Sequence, residues 1–283
     1  MTDFAAWIGR ELATRDRLTP ERAFQWCATF DLPRPMDGAM PQGIHFALCT
    51  PDAPTASLGE DGHPARDDSP DSFLPPFKLP RRMWASSKIQ FVAPIAIGAA
   101  IKRTSRVASI DEKEGGSGKL AFVNVDHETI ANGTLSVRET QTLVYRDAAP
   151  PDDPLSPPEV GVGEFDDSVW DAVHTLIPDP GLLFRYSALT FNTHRIHYDA
   201  PYASAVERYR GLVVHGPLTA SLLLQLLARE LGENRVRSFE FRGVSPAIAD
   251  EPLHLVMRAS DAGYELGAFA SDGRQITNAK AAI

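Results

Sequence analysis

Cysteine is almost missing from this chain: Cys27 and Cys49 are the only two, and they form no CxxC pair. A disulfide framework is therefore not expected, and a reducing cytoplasm is the natural compartment. Basic runs with interleaved aromatics are missing too, and the formal charge is −9. Nucleic-acid binding needs clustered Lys and Arg against phosphate, so no such partner is expected. The N-terminal stretch MTDFAAWIGRELATRDRLTPERAF has no basic flank ahead of an apolar core, so no signal peptide is expected. The longest apolar run, LTASLLLQLLA, is too short to span a bilayer, and no membrane partner is expected.

What remains has ordinary globular proportions, with 43% hydrophobic and 23% charged residues in 283. That length accommodates two domains of about 140 residues each. Two stretches interrupt the globular pattern. Thr50 to Pro80, rich in Pro, Asp and Ser, reads as a long loop with disorder in part. Asp147 to Glu164 is proline-rich and hostile to helix or sheet. The expected division is an N-terminal domain 1–147, a linker 148–164 and a C-terminal domain 165–283.

Before the linker, helical spacing predicts helices over Phe4–Ala13 and Pro20–Phe30, the second capped by Thr19. Strand-like runs follow in KIQFVAPIAIG, IKRTSRVASIDEKE, KLAFVNVDHETIA and LSVRETQTLVYR, with EGGSG as a hairpin or loop signal. After the linker, LLFRYSALTF reads as a strand and GPLTASLLLQLLARELG as a helix. Four further strands are expected in VRSFEFRGVSPA, PLHLVMRASDA, YELGAFAS and RQITNAKAA. Each half then combines one long helix with antiparallel strands, an α+β arrangement. The element order partly repeats, although the halves share no direct identity.

Two stretches carry chemistry. YSALTFNTHRIHYDAPYA, residues 186–203, gathers Asn192, His194, Arg195, His197 and Asp199. The spacing His194, His197, Asp199 suits a metal site, an acid–base site or no more than a polar turn. VVHGPLTASLLLQLLARELGE begins a helix apolar almost all round, with Pro217 at its first position. The N–H groups of Gly216 and Leu218 would stay free at the positive end of the helix dipole, suited to an oxygen gaining negative charge. Gly-Pro can equally do no more than start a core helix.

Together these residues resemble the MaoC-like hydratase/dehydratase family of the hotdog fold, whose members typically read D-x-N-P-I-H at the first site and A-H-G-[ML] at the second. Here the stretches are Asn192-Thr193-His194-Arg195-Ile196-His197 and Val214-His215-Gly216-Pro217. The resemblance is closer to the type 2 hydroxyacyl-thioester dehydratase branch, which includes 3-methylfumaryl-CoA and itaconyl-CoA hydratases. It rests on FNTHRIHYD and GLVVHGP, and in the first half on RRMWASSKIQF and EKEGGSGKLAFVNVDHE.

The resemblance implies a double hotdog, two antiparallel sheets each wrapped around a helix, with one catalytic site in the second half. The first half, lacking Asn-x4-His and His-Gly-Pro, would shape a substrate tunnel. His197 would be the acid–base histidine and Gly216 N–H the oxyanion donor. Asn192 stands where the family has aspartate and cannot accept a proton as a carboxylate does, so either His197 works alone or Asp199 supplies the carboxylate. Arg195 would pair with Asp199 or hold a free carboxylate of the acyl group, and His194, Tyr198, Tyr202 and His215 would contact substrate. The implied reaction is reversible hydration of a short, dicarboxylic enoyl-CoA, without metal or cofactor, CoA being part of the substrate. Dehydration of a carrier-protein hydroxyacyl thioester, a hotdog thioesterase and a non-catalytic acyl-CoA module are the rivals. A homodimer is left open.

Overall fold

The structure, a computed structural model, describes residues 4–115 and 118–283. Its backbone is one antiparallel sheet of ten strands in the order β1-β3-β4-β5-β2-β7-β10-β9-β8-β6. The first half supplies β1 (Glu11–Arg17), β2 (Arg81–Phe91), β3 (Ala100–Gly115), β4 (Gly118–Ala131) and β5 (Thr134–Arg146). The second supplies β6 (Ala172–Leu176), β7 (Ser238–Gly243), β8 (Leu253–Ser260), β9 (Gly263–Phe269) and β10 (Gln275–Ala282). Exchanging β1–β5 for β6–β10 turns the strand order into its own reverse. The halves meet where β2 pairs with β7, with Ile89 opposite Phe239 and Ser87 opposite Phe241. This is a double hotdog of the α+β class.

Helices α1 (Pro20–Thr29), α2 (Pro180–Thr190), α3 (Ala200–Ala205) and α4 (Gly216–Leu231) complete the chain. In α4 every residue from Leu218 to Leu227 is buried, so the helix lies inside the fold, against β8 and β9. Thr19 caps α1 as expected, its Oγ1 accepting from Arg22 N. No described helix is long and apolar enough to cross a membrane.

Several elements differ from the sequence reading. Phe4–Ala13 is not a helix: a 3-10 turn covers Phe4–Trp7, Gly9 adopts φ +88°, and β1 follows. Pairing of Glu11–Arg17 along β3 outweighs the local spacing, and the charged β1 forms a sheet edge. LLFRYSALTF is helical, not a strand. Asp179 caps α2 by accepting from Leu182 N, Pro180 opens it, and Leu183, Tyr186 and Leu189 make a buried stripe. The run expected from Lys88 to Gly98 leaves the sheet after Phe91, where Val92 and Ala93 both donate to Ser136 O and Pro94 has no N–H. The first half also has no counterpart of α4 among the described residues, since α1 matches α2 in order. Of EGGSG, Gly116 and Ser117 lie outside the described residues, while β3 and β4 pair up to Gly115 and Gly118. Residues 147–171 carry no helix or strand. The long loop from Thr50 to Pro80 is pinned by a Leu58–Pro64 bridge and by Arg66 donating to Phe77 O and Pro80 O.

Candidate active site

The polar cluster starts where α2 stops. Phe191 takes a left-handed conformation, φ 48°, and turns the chain out of the helix. Asn192 Oδ1 then accepts from His194 N at 2.9 Å, a local side-chain turn. A 3-10 turn over Arg195–His197 leads to α3, capped by Asp199 Oδ1 accepting from Tyr202 N at 3.1 Å. The other oxygen, Asp199 Oδ2, accepts from Arg195 Nε and Nη2 at 3.0 and 2.8 Å. The Arg195 guanidinium lies 3.9 Å above the Tyr202 ring. Asn192, Arg195 and Asp199 therefore engage this turn itself, while Tyr198 is half exposed.

Behind the turn sits a stack of imidazoles. His197 is buried, and its Nδ1 lies 2.6 Å from Val213 O. A carbonyl only accepts, so Nδ1 carries the hydrogen and Nε2 keeps its lone pair. His215 stacks on His197 with centroids 3.5 Å apart and planes 18° apart. Its Nε2 is 2.9 Å from Ser187 Oγ, and its buried Nδ1 has no partner among the described residues. His194 meets His197 edge-on at 5.4 Å. Burial pushes the His197 imidazole down to about 3, with neighbouring His194 adding to the effect. Burial likewise holds His215 well below the ordinary value, and burial together with His63 lowers His194. These rings are therefore neutral near neutral pH, and His197 Nε2 is a base.

His215 is also the N-cap residue of α4, without capping through its side chain. Gly216 opens the helix, and Pro217 follows as second residue rather than first. Gly216 N–H has no acceptor among the described residues, and a Cβ on Gly216 would meet nothing within 4 Å. The segment is fixed from both sides, by Val213 N donating to Ile196 O and Val214 N to Ala247 O. A free donor at a helix start therefore shares one backbone segment with the carbonyl that orients His197.

A third component comes from the first half and is not among the residues picked out from the sequence. In the loop 60–63, Asp61 Oδ2 lies 2.9 Å from His63 Nδ1, and Asp61 Oδ1 accepts from His63 N at 3.0 Å. The His63 ring packs on His194 with centroids 4.1 Å apart. Arg195 donates to this loop through its backbone N to Asp61 O at 2.9 Å and through Nη1 to Glu60 O at 3.0 Å. Thr193 Oγ1 donates to Gly62 O. Burial alone would raise the Asp61 carboxyl, but the hydrogen bond and charge of His63, with His194, hold it well below the carboxylate range.

Donor atoms of Asp61, His63 and His194 all lie within 4.8 Å of one another. Asp61 and His63 are already bonded to each other, so the arrangement is a carboxylate–histidine pair. The trio expected from spacing, His194, His197 and Asp199, does not converge: Asp199 is held by Arg195 and the α3 cap. A third carboxylate, Glu207, is taken up by Arg81 at 2.7 Å, which ties the RRMW stretch of the first half to the second. A cavity of about 480 Å³ lies elsewhere, beside His45 and residues 234–237, and shares no residue with the histidine cluster.

Residues 43–249 match the family described as hydroxyacyl-thioester dehydratase type 2. A Chloroflexus aurantiacus protein named mesaconyl-C(4)-CoA hydratase is 40% identical over 275 residues, covering 96% of this chain and 94% of its own. The mitochondrial hydroxyacyl-thioester dehydratase type 2 of Schizosaccharomyces pombe is 27% identical over 240 residues, covering 75% of this chain and 76% of its own. The crystal structure of HtdX from Mycobacterium tuberculosis has a TM-score of 0.68 at 19% identity, covering 96% of this chain and 99% of that one, a likeness of fold. With a match over most of its length and a full-length relative at this identity, the chain belongs to the hydroxyacyl-thioester dehydratase type 2 family and is a hydro-lyase.

Proposed function

We propose that the protein reversibly adds water to a short dicarboxylic enoyl-CoA of the 3-methylfumaryl or itaconyl type. The observation that carries this reading is the pairing of a neutral, oriented His197, Nε2 free, with the unpartnered Gly216 N–H. In hydration, His197 Nε2 takes a proton from water as the oxygen bonds to the β-carbon. The π electrons move onto the thioester oxygen, where Gly216 N–H holds the negative charge. Collapse of the enolate then leaves the α-carbon to take a proton. No cofactor enters this sequence. The name of the 40% identical relative supports a short dicarboxylic acyl group.

The test is a panel of short enoyl-CoA esters, with and without a second carboxylate, ranked by kcat/KM. Itaconyl-type and 3-methylfumaryl-type esters are expected to lead. Preference for monocarboxylic or long chains would overturn the substrate assignment. Preference for the same acyl groups on a carrier protein would make the protein a carrier-protein hydroxyacyl dehydratase instead.

Asp199 and Asn192 act in this reading on the turn that presents His194 and His197. Asp199→Ala removes a helix cap and an ion pair, so it is expected to lower the melting temperature modestly with little change in kcat. Asn192→Ala is expected to slow turnover more, because the His194 backbone N–H loses its acceptor. Thermal unfolding beside steady-state kinetics separates the two. An Asp199→Ala enzyme as slow as one lacking His197 would make Asp199 the missing carboxylate instead.

A further inference from the structure

Addition of water needs a proton taken from oxygen and a proton given to the α-carbon, and the family position for a carboxylate holds Asn192, which does neither. Asp199 and Glu207 are each engaged by an arginine. That leaves Asp61, whose carboxylate reaches the histidine cluster through His63. Building on the hydratase reading, we propose that His63, held on Asp61 by the first-half loop, is the second proton-transfer group of the site.

Three observations carry this. Asp61 Oδ2 fixes His63 Nδ1 as the donor nitrogen, leaving Nε2 to exchange protons. The His63, His194, His197 and His215 rings form one contiguous series, and His63 is the member nearest solvent, with a side chain 21% exposed. The loop is seated without slack: Gly62 has φ +85°, and a Cβ there would lie 1.9 Å from Thr193 O. Only glycine gives this conformation and this approach, so the backbone itself brings the pair against the second-half turn.

The step balances. During hydration His197 Nε2 accepts the proton of water while oxygen bonds to the β-carbon. His63, protonated and paired with Asp61, gives its Nε2 proton to the α-carbon as the enolate collapses. His197 then returns its proton to His63 through His194 or solvent. Dehydration runs the same transfers backwards. Such a site is made from both halves of the chain, and the loop supplies the group that the Asn192 position lacks.

The test uses the full-length enzyme with His63→Gln, His63→Ala and Asp61→Asn, each checked for an unchanged melting transition. Losing a proton-transfer group is expected to lower kcat by about 10²–10⁴-fold, with KM changed only a few-fold. Added imidazole is expected to restore part of the His63→Ala activity, which a packing role would not allow. Turnover of His63→Gln near that of the wild type, a loss confined to KM, or a loss that imidazole leaves untouched would overturn the assignment. Loss of wild-type activity to a chelator, restored by a divalent metal, would overturn it in favour of metal binding. A measurement independent of turnover is the ¹⁵N spectrum of the wild-type histidines. His63 is expected to show a hydrogen-bonded Nδ1–H that disappears in Asp61→Ala, where no side-chain acceptor remains, and its absence from the wild type removes the pair. A wild-type enzyme inert towards every enoyl-CoA would sink the hydratase reading instead, and the role of His63 in it.

Discussion

His197→Ala is expected to leave the enzyme folded and without measurable hydration. In the proposed chemistry His197 Nε2 is the atom that removes the water proton, and a positioned base contributes about 10²–10⁴-fold by itself. Alanine also removes the donor to Val213 O and one ring of the 3.5 Å imidazole stack. A buried carbonyl left unpaired costs about 1–3 kcal/mol, so the melting temperature should fall somewhat. Turnover must therefore be expressed per folded molecule, with the folded fraction taken from circular dichroism. A folded His197→Ala protein with near-wild-type kcat would remove His197 from the mechanism.

The second large effect is expected at Gly216. A methyl group there meets no protein atom within 4 Å, so Gly216→Ala should fold normally and interfere only with what approaches from outside. It is expected to lose some turnover and some binding. Gly216→Pro goes further, because it deletes the N–H assigned to the enolate oxygen. Its fold should survive: His215, with φ −61° and ψ 134°, already has the extended conformation favoured before proline. The deleted N–H has no acceptor among the described residues. Loss of one oxyanion donor typically slows turnover about 10²–10³-fold. If both variants instead melt at altered temperatures with unchanged turnover per folded molecule, His215-Gly216-Pro217 is a structural helix start.

How much of this could be read beforehand depended on whether the deciding contacts were local. The buried α4 announced itself, because Leu218 to Leu227 are apolar almost all round and the helix needs no partner to be recognised. Capping of α1 by Thr19 is a three-residue matter and was legible for the same reason. Asp179 and Pro180 are a comparable start signal for α2, although LLFRYSALTF reads as a strand when taken without them. Strand β1 could not be found locally, since five of its seven residues are charged or polar and it becomes a strand by pairing with β3. The sharpest miss is the loop with Asp61 and His63. Composition correctly marked Thr50 to Pro80 as a loop, yet Thr193 and Gly62 are 131 positions apart. Nothing in EDGHP says that its aspartate and histidine close over a turn in the other half. The nearest signal was a negative one, the asparagine at 192 that left a carboxylate to be supplied from elsewhere.

The central claim is that this site adds water across a carbon–carbon double bond and leaves the thioester intact. The most direct test is to incubate the wild-type protein with itaconyl- and 3-methylfumaryl-type CoA esters in H₂¹⁸O and to weigh the products by mass spectrometry. The account predicts a hydroxyacyl-CoA heavier than its substrate by one labelled water, with ¹⁸O on the acyl chain and no free CoA thiol. Release of CoA thiol with ¹⁸O in the carboxylate of a free acid, or recovery of every ester unchanged, would contradict it.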